Sequence, residues 1–206
     1  MSAEPNPAAE AHDSDRLVAD RVSFGYPGYP VGTDLSLVVP AGSFTAIVGP
    51  NACGKSTLLR VLSRLLPASS GRVVLDGRAI ADYPSRQVAR RLGLLPQTSI
   101  APEGITVTDL VGRGRFPYQS ALRQWSREDE RAVDEAMRTT GIGALADRLV
   151  DELSGGQRQR VWVAMVLAQQ TPLMLLDEPT TFLDIAHQLE VLELLATLNR
   201  TGGRTV

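Results

Sequence analysis

Gly49-Pro50-Asn51-Ala52-Cys53-Gly54-Lys55-Ser56-Thr57 has the spacing G-x-x-x-x-G-K-[ST], and its flanks decide how it reads. Before it, Phe44 to Val48 is a short apolar run that reads as a strand. After it, Lys55 to Leu66 carries Leu58, Leu59, Val61, Leu62, Leu65 and Leu66 at helical spacing, and Pro67 ends the helix because proline cannot continue the hydrogen-bond ladder. A glycine loop between strand and helix is the context of a nucleotide phosphate cradle. Glycines let backbone N–H groups converge on phosphate oxygens, and the helix N-terminus adds positive potential. Lys55 supplies a full charge, and the Ser56 hydroxyl is a ligand for Mg²⁺. A chance glycine turn of this form arises on the order of once per hundred chains of such length, before the strand and helix are demanded.

Outward from the loop, short apolar runs alternate with Gly and Pro. Leu17 to Ala19 and Leu35 to Val39 read as strands, and Val73 to Leu75 and Arg78 to Ile80 flank the turn dipeptide Asp76-Gly77, giving an antiparallel element. A short helix is expected over 81 to 92, and Leu94-Leu95 forms a strand stopped by Pro96. From Thr98 to Leu153 the pattern becomes charged and helical, as in Ser126 to Thr139. There follow a helix from about Gln157 to Gln169, a strand Leu173 to Leu176, and a helix from about Ile185 to Asn199 closed by Gly202-Gly203. Strand and helix in alternation imply a parallel sheet and an α/β fold. Residues 1 to 16, made mostly of Ala, Pro, Ser, Glu and Asp, bury nothing and read as a disordered tail.

Composition bounds the function. The 206 residues, 43% of them hydrophobic, suffice for a sizeable core. With 21 Lys and Arg against 23 Asp and Glu, the net charge is −2, so no overall positive field holds nucleic acid or anionic lipid. The longest apolar stretch, Val161 to Ala168, falls far short of the roughly 20 residues that cross a bilayer. Cys53 stands alone, which excludes an intramolecular disulfide, and no signal peptide opens the chain; a cytosolic compartment is the expectation. Its position beside Lys55 at a helix start favours the Cys53 thiolate.

Two further motifs carry chemistry. Leu173-Met174-Leu175-Leu176-Asp177-Glu178 is an apolar strand delivering two carboxylates at its C-terminal end, where open α/β sheets place their ligands. Side chains alternate along a strand, so the two take different tasks: Asp177 holds Mg²⁺ and Glu178 polarises the water that attacks a γ-phosphate. Leu153-Ser154-Gly155-Gly156-Gln157 opens a helix with a hydroxyl and two glycines, a second anion-binding helix start.

L-S-G-G-Q beside the other two motifs resembles the nucleotide-binding domain of ATP-binding-cassette (ABC) proteins, over nearly the whole span Leu17 to Val206. The resemblance implies a P-loop NTPase core with a mainly parallel sheet, an antiparallel β element and an inserted helical subdomain at about 98–155. It implies ATP and Mg²⁺ as ligands and a head-to-tail homodimer in which Ser154 and Gly156 of one copy contact the γ-phosphate held by the other's Lys55. Gly49, Pro50, Asn51, Ala52, Cys53, Gly54, Ser56 and Thr57, with Gly155 and Gln157, complete that nucleotide set. Gln97 matches the family's Q-loop, where a glutamine reaches Mg²⁺ and the attacking water, and is assigned with Glu178 to catalysis and with Ser56 and Asp177 to the metal. Tyr26 stands where the family stacks an aromatic on adenine, with Tyr29 and Phe24 as competitors. Asp184 matches the interface-crossing D-loop and equally fits an N-cap. His187, on the first turn of a helix close behind Asp177, does not match the family's switch histidine, and His12 in the tail fits still less well.

Cys53 within the loop, Gly112-Arg113-Gly114-Arg115-Phe116-Pro117-Tyr118, and Thr180-Thr181-Phe182-Leu183-Asp184-Ile185-Ala186-His187-Gln188 resemble the ATPase subunits of iron(III)-siderophore importers. That branch implies a membrane permease as partner, an external substrate-binding protein acting indirectly, no nucleic acid, and a peripheral place at the cytoplasmic face of the membrane. The Gly-Arg run reads either as a solvated basic loop or as part of the permease contact. A non-transport ABC protein acting on DNA or ribosomes is the alternative, but it calls for basic surfaces or a second cassette. The resemblance further implies that Arg204-Thr205-Val206 begins another strand, inserted beside Phe44 to Val48 and followed by the switch histidine. On that expectation residues 17–206 are a C-terminally truncated cassette with doubtful activity of its own.

Overall fold

The computed structural model describes residues 15–206 apart from Ser99, 121–123 and Phe182. His12, the tail through residue 14, and the Phe182 part of the siderophore-importer motif lie outside the described residues. Two units are described separately, one through Tyr83 together with Thr205, the other Pro84–Arg204 with Val206.

The first unit is built on strands β1 (Asp15–Tyr26) and β2 (Tyr29–Pro40), helix α1 (Lys55–Leu62), and strands β3 (Ser70–Leu75) and β4 (Arg78–Ala79). They form a four-stranded antiparallel sheet in the order β2-β1-β3-β4. Asp15 and Arg16 already belong to β1, and Arg16 pairs with Asp76 at 2.6 Å, so order begins before the expected end of the tail. Asp76 and Gly77 join β3 to β4 with φ of 48° and 75°, the two positive angles that a tight hairpin turn requires. The helix α1 packs against β1 through Leu58, Leu59, Val61 and Leu62, all buried. It ends four residues earlier than expected. Arg64 turns left-handed (φ 62°), and both Leu65 and Leu66 donate back to the Arg60 carbonyl, so Leu65 faces solvent.

Phe44 to Val48, read as a strand, joins no ladder among the described residues, and Phe44, Ile47 and Val48 remain exposed. A strand exists through its partners; without one, the apolar pattern alone does not make it. Thr205 makes a single bridge rather than a strand; it is fully buried and its hydroxyl accepts the Gly42 N–H at 2.8 Å.

The second unit contains α2 (Ser85–Ala89), β5 (Leu92–Leu95), α3 (Val107–Gly112), α4 (Arg127–Thr139), α5 (Gly155–Ala168), β6 (Leu173–Leu176) and α6 (Ile185–Gly202). Strands β5 and β6 pair in parallel, Leu92 with Leu173 through Leu95 with Leu176, and are the parallel part of the fold among the described residues. The helix expected over 81 to 92 is shorter: a 3-10 turn at Ile80–Asp82 precedes α2, because Pro84 breaks the run. The core joins Met174 of β6 to α3, α4, α5 and α6 through Leu110, Val133, Val161, Val163, Leu167 and Leu195.

The Gly-Arg run is not a solvated loop. It forms a 3-10 helix at Arg113–Tyr118 in which Arg115 is completely buried. The Arg115 guanidinium donates to Asp129 Oδ1 at 2.8 Å, to the Ala168 carbonyl at 2.8 Å and to Gln170 at 2.9 Å, and stacks on Tyr118 at 4.0 Å. Asp129 also closes the capping box of α4 with Ser126. Burial pushes the Asp129 carboxyl up, but the Ser126 hydroxyl and the Arg115 charge outweigh it and hold the group below its ordinary 3.8.

Removing one partner of a buried pair strands the other charge, at a cost of about 3–5 kcal/mol. Asp129→Ala is therefore expected to lose about that much stability in urea unfolding at pH 7. A carboxyl with a depressed folded pKa stabilises above its ordinary value and loses that contribution as pH falls through the folded one. The gap between wild type and variant should thus stay level down to about pH 4 and close below it. A loss under about 1 kcal/mol at pH 7 would contradict the pairing, since surface ion pairs contribute no more than that.

Candidate functional site

The phosphate loop ends at Gly54, the N-cap of α1, whose φ of 98° lies in the left-handed region. A side chain there would also meet Val31 Cγ1 of β2 at 2.5 Å, so glycine is required both for the backbone angle and for the strand's close approach. No side chain caps the first turn of α1, which leaves the loop backbone as the source of N–H donors. Lys55 folds back over it, its Nζ donating to the Gly49 carbonyl at 3.0 Å and the Pro50 carbonyl at 2.8 Å. A Cβ on Gly49 would lie 2.9 Å from the Cys53 Sγ, and that exposed thiol is 4.0 Å from Nζ. An open turn of backbone donors with a lysine at its mouth fits a polyphosphate chain.

The β1–β2 hairpin brings aromatics to the same unit. Phe24 is buried, with Gly32 against its ring, and so offers no face to a base. Tyr26 and Tyr29 face each other across the hairpin end, both exposed, and Arg60 of α1 donates to the Tyr26 hydroxyl at 3.2 Å. That bond ties Tyr26, and not Tyr29, to the helix that leaves the phosphate loop.

In the second unit the parallel pairing brings Gln97 and the two carboxylates together. The Asp177 N–H donates to the Leu95 carbonyl at 2.9 Å, continuing the ladder one step past β6, and Asp177 is buried. Glu178 then leaves the strand direction with φ 49°, a left-handed angle that costs a non-glycine residue of order 1 kcal/mol. The turn delivers its carboxylate to two donors: Gln97 Nε2 at 2.7 Å and the Thr181 hydroxyl at 3.0 Å, both on Oε2. With Nε2 committed to Glu178, the Gln97 amide oxygen remains an acceptor for a hard cation or water. Within this unit the Asp177 carboxylate and the Gln97 carbonyl are oxygen donors of the kind that suits Mg²⁺. No cluster of three His, Cys, Asp or Glu occurs among the described residues, and Mg²⁺, which draws on phosphates and waters, needs none.

The second helix start marked by the sequence is that of α5. Ser154 is its N-cap, accepting the Gln157 N–H at 3.3 Å, while Gln157 Oε1 accepts the Ser154 N–H at 3.1 Å. Ser154 and Gly155 are exposed and Gly156 is buried. Asp184 is the N-cap of α6: its carboxylate accepts the His187 N–H at 2.9 Å and lies 2.8 Å from His187 Nδ1. Those bonds, the backbone one first, hold the Asp184 carboxyl below its usual range.

A family model described as ABC transporter matches residues 33–181, a span that includes the phosphate loop, the L-S-G-G-Q helix start and both carboxylates. The chain belongs to the ABC transporter family. The cassette is 57% identical to the ferric enterobactin transport ATP-binding protein FepC of Escherichia coli (strain K12), over 93% of this chain and 70% of that protein. An inward-facing metal-chelate type ABC transporter matches with a TM-score of 0.81 at 30% identity, over 94% of this chain and 71% of that one. A dimeric bacterial ABC transporter cassette matches at 0.81 and 27%, over 92% and 85% of the two chains.

Three contacts in this ABC cassette escaped the sequence reading. Thr181 fastens Glu178, Arg60 fastens Tyr26, and the His187 ring rests against Gly156. Thr181 had a faint signal, a hydroxyl three residues beyond a carboxylate; Arg60 had none, because its partner lies 34 residues away.

Since the thiol overhangs Gly49, alkylation with N-ethylmaleimide fills the loop. Labelled protein should lose binding of a fluorescent ATP analogue by at least about tenfold, equivalent to 1.4 kcal/mol, and prior ATP should slow the labelling. Unchanged binding by fully labelled protein would mean that Cys53 lies outside the phosphate path.

Proposed function

We propose that this chain is the ATP-hydrolysing subunit that energises import of a ferric siderophore or a related metal chelate through a separate membrane permease. The observation that carries the hydrolytic part is the hydrogen bond from Gln97 to Glu178, made at the paired ends of β5 and β6. A carboxylate held by Gln97 and Thr181 in a strained turn is preorganised to accept a proton from an attacking water. Gly49 through Thr57 bind the phosphates, Lys55 countering their charge, while Tyr26 stacks on the adenine. Ser56, Asp177 and Gln97 would hold Mg²⁺, which when bound neutralises phosphate oxygens as charge develops.

The exposed start of α5 supports a composite site: Ser154, Gly155, Gly156 and Gln157 complete the ATP site of a second copy, and Asp184 stands at the same head-to-tail interface. The Gly155 and Gly156 N–H groups, which the Ser154–Gln157 capping box does not engage, are the donors that gain from an anion arriving from outside the chain. That one of the structural relatives is a dimeric cassette supports association of two copies. Import of a chelate rests on the ferric enterobactin protein and the metal-chelate transporter to which the chain is similar. No helix among the described residues is long and apolar enough to cross a membrane, in keeping with a separate permease and a peripheral position at the cytoplasmic face. Phe116 and Trp125, both more than half or half exposed at 58% and 50%, offer apolar surface for that permease.

Glu178→Gln should bind ATP as wild type does and turn over about 10²- to 10⁴-fold more slowly, the range of a lost general base. Cells lacking the gene should fail to take up one or more ⁵⁵Fe-loaded siderophores, with uptake restored by the wild-type gene and not by Lys55→Ala. Normal turnover in Glu178→Gln would overturn the catalytic assignment; normal uptake of every chelate would overturn the cargo.

A further inference from the structure

His187 lies on the first turn of α6, yet its ring reaches the first turn of α5. A Cβ placed on Gly156 would sit 2.7 Å from the ring's Cδ2, 3.1 Å from Cγ and 3.2 Å from Nε2. Real Cβ atoms do not approach so closely, so the missing side chain at Gly156 is the space that the imidazole occupies. The ring's other edge is held by Asp184, whose Oδ1 lies 2.8 Å from Nδ1 and also accepts the His187 N–H at 2.9 Å. Asp184 caps α6 and Ser154 caps α5, so one imidazole connects the capped starts of both helices. About one turn further along each helix, Arg160 Nη2 and Glu190 Oε2 meet at 2.8 Å, which keeps the two starts level. The two ties differ in kind. Arg160 with Glu190 is a partly exposed ion pair of small worth. The imidazole is a rigid wedge, and its position depends on both a hydrogen bond and a steric contact.

We propose that His187 is a positioning residue of the composite ATP site, holding the Gly156 backbone at the height of Asp184 so that both meet the second copy in register. The inference rests on the reading that Ser154 to Gln157 complete a partner's site. His187 itself touches no nucleotide in this scheme. It stops the Gly156 peptide from receding when the anion arrives, and Asp184 stops the ring from swinging away. Such a role leaves the nucleotide affinity of one copy alone and acts on association of two.

The test uses the purified protein with two readouts: affinity for a fluorescent ATP analogue at low protein concentration, and ATP-driven self-association by analytical ultracentrifugation. His187→Ala should keep the analogue affinity within about twofold and weaken self-association about tenfold, equivalent to 1.4 kcal/mol. His187→Phe keeps the ring and drops the bond to Asp184, His187→Asn keeps a bonding group and drops the ring, and each should fall between wild type and His187→Ala. Gly156→Ala should weaken association, and adding His187→Ala should restore part of it by removing the clash, the non-additivity expected of residues in contact. Wild-type association in His187→Ala would overturn the proposal, as would strict additivity of the double variant or a parallel loss of analogue affinity. A wild-type protein that binds the analogue but never self-associates with ATP would instead overturn the composite-site reading beneath it.

Discussion

The parallel pairing of β5 with β6 is the constraint from which the chemistry of the second unit follows. Its register sets Leu95 opposite Leu176 and continues for one more bond, Asp177 N–H to the Leu95 carbonyl. Both strands therefore end at one level, and the residues that leave them, Gln97 and Glu178, emerge within hydrogen-bond reach. A slip of one residue would turn Met174 from the core and carry the carboxylates to the wrong faces. Burial of Leu173 and Met174 opposes that slip, since each fully buried apolar side chain contributes roughly 1.5–3 kcal/mol. The order of the core thus fixes the geometry of the Glu178 carboxylate, and the strain at Glu178 is sustained by the packing behind it.

Two helix starts supply the other half of the design, and they differ. At α1 the N-cap is a glycine without a side-chain bond, and a lysine crosses back over the loop. At α5 the N-cap is a serine within a closed capping box, so that helix start is stable without a ligand. On the proposed reading the first envelops phosphates and the second presents a preformed edge to those held by another copy. A loop that envelops and an edge that docks suit successive events, binding by one copy followed by closure of another.

Elements whose cause is local were legible. The strand Leu173–Leu176 and its two carboxylates, the Asp76-Gly77 turn, the Ser126 and Ser154 helix starts and the Gly203 stop are written in short patterns and appear where those patterns stand. Elements whose cause is a distant partner were not. Phe44 to Val48 has strand composition but no ladder; Lys55 to Leu66 has helical spacing, but the chain turns left-handed at Arg64. Arg115 looks like surface charge and is buried, because Asp129 and the Ala168 carbonyl await it from 14 and 53 residues away. In the site, the motif residues could be named from spacing, whereas Thr181 behind Glu178 and the His187 ring behind Gly156 are tertiary contacts that spacing does not encode.

The central claim is that the α5 start of one copy meets the phosphate loop of another. Lys55→Ala disables that loop, and Gly155, exposed with nothing within 4 Å of an added Cβ, takes an aspartate that repels the phosphates from the α5 start. In the Glu178→Gln background, neither Lys55→Ala nor Gly155→Asp alone should self-associate with ATP, whereas an equimolar mixture of the two should, because one intact loop then faces one intact helix start. A mixture that stays monomeric in analytical ultracentrifugation, or either variant alone associating as the parent does, would contradict the account.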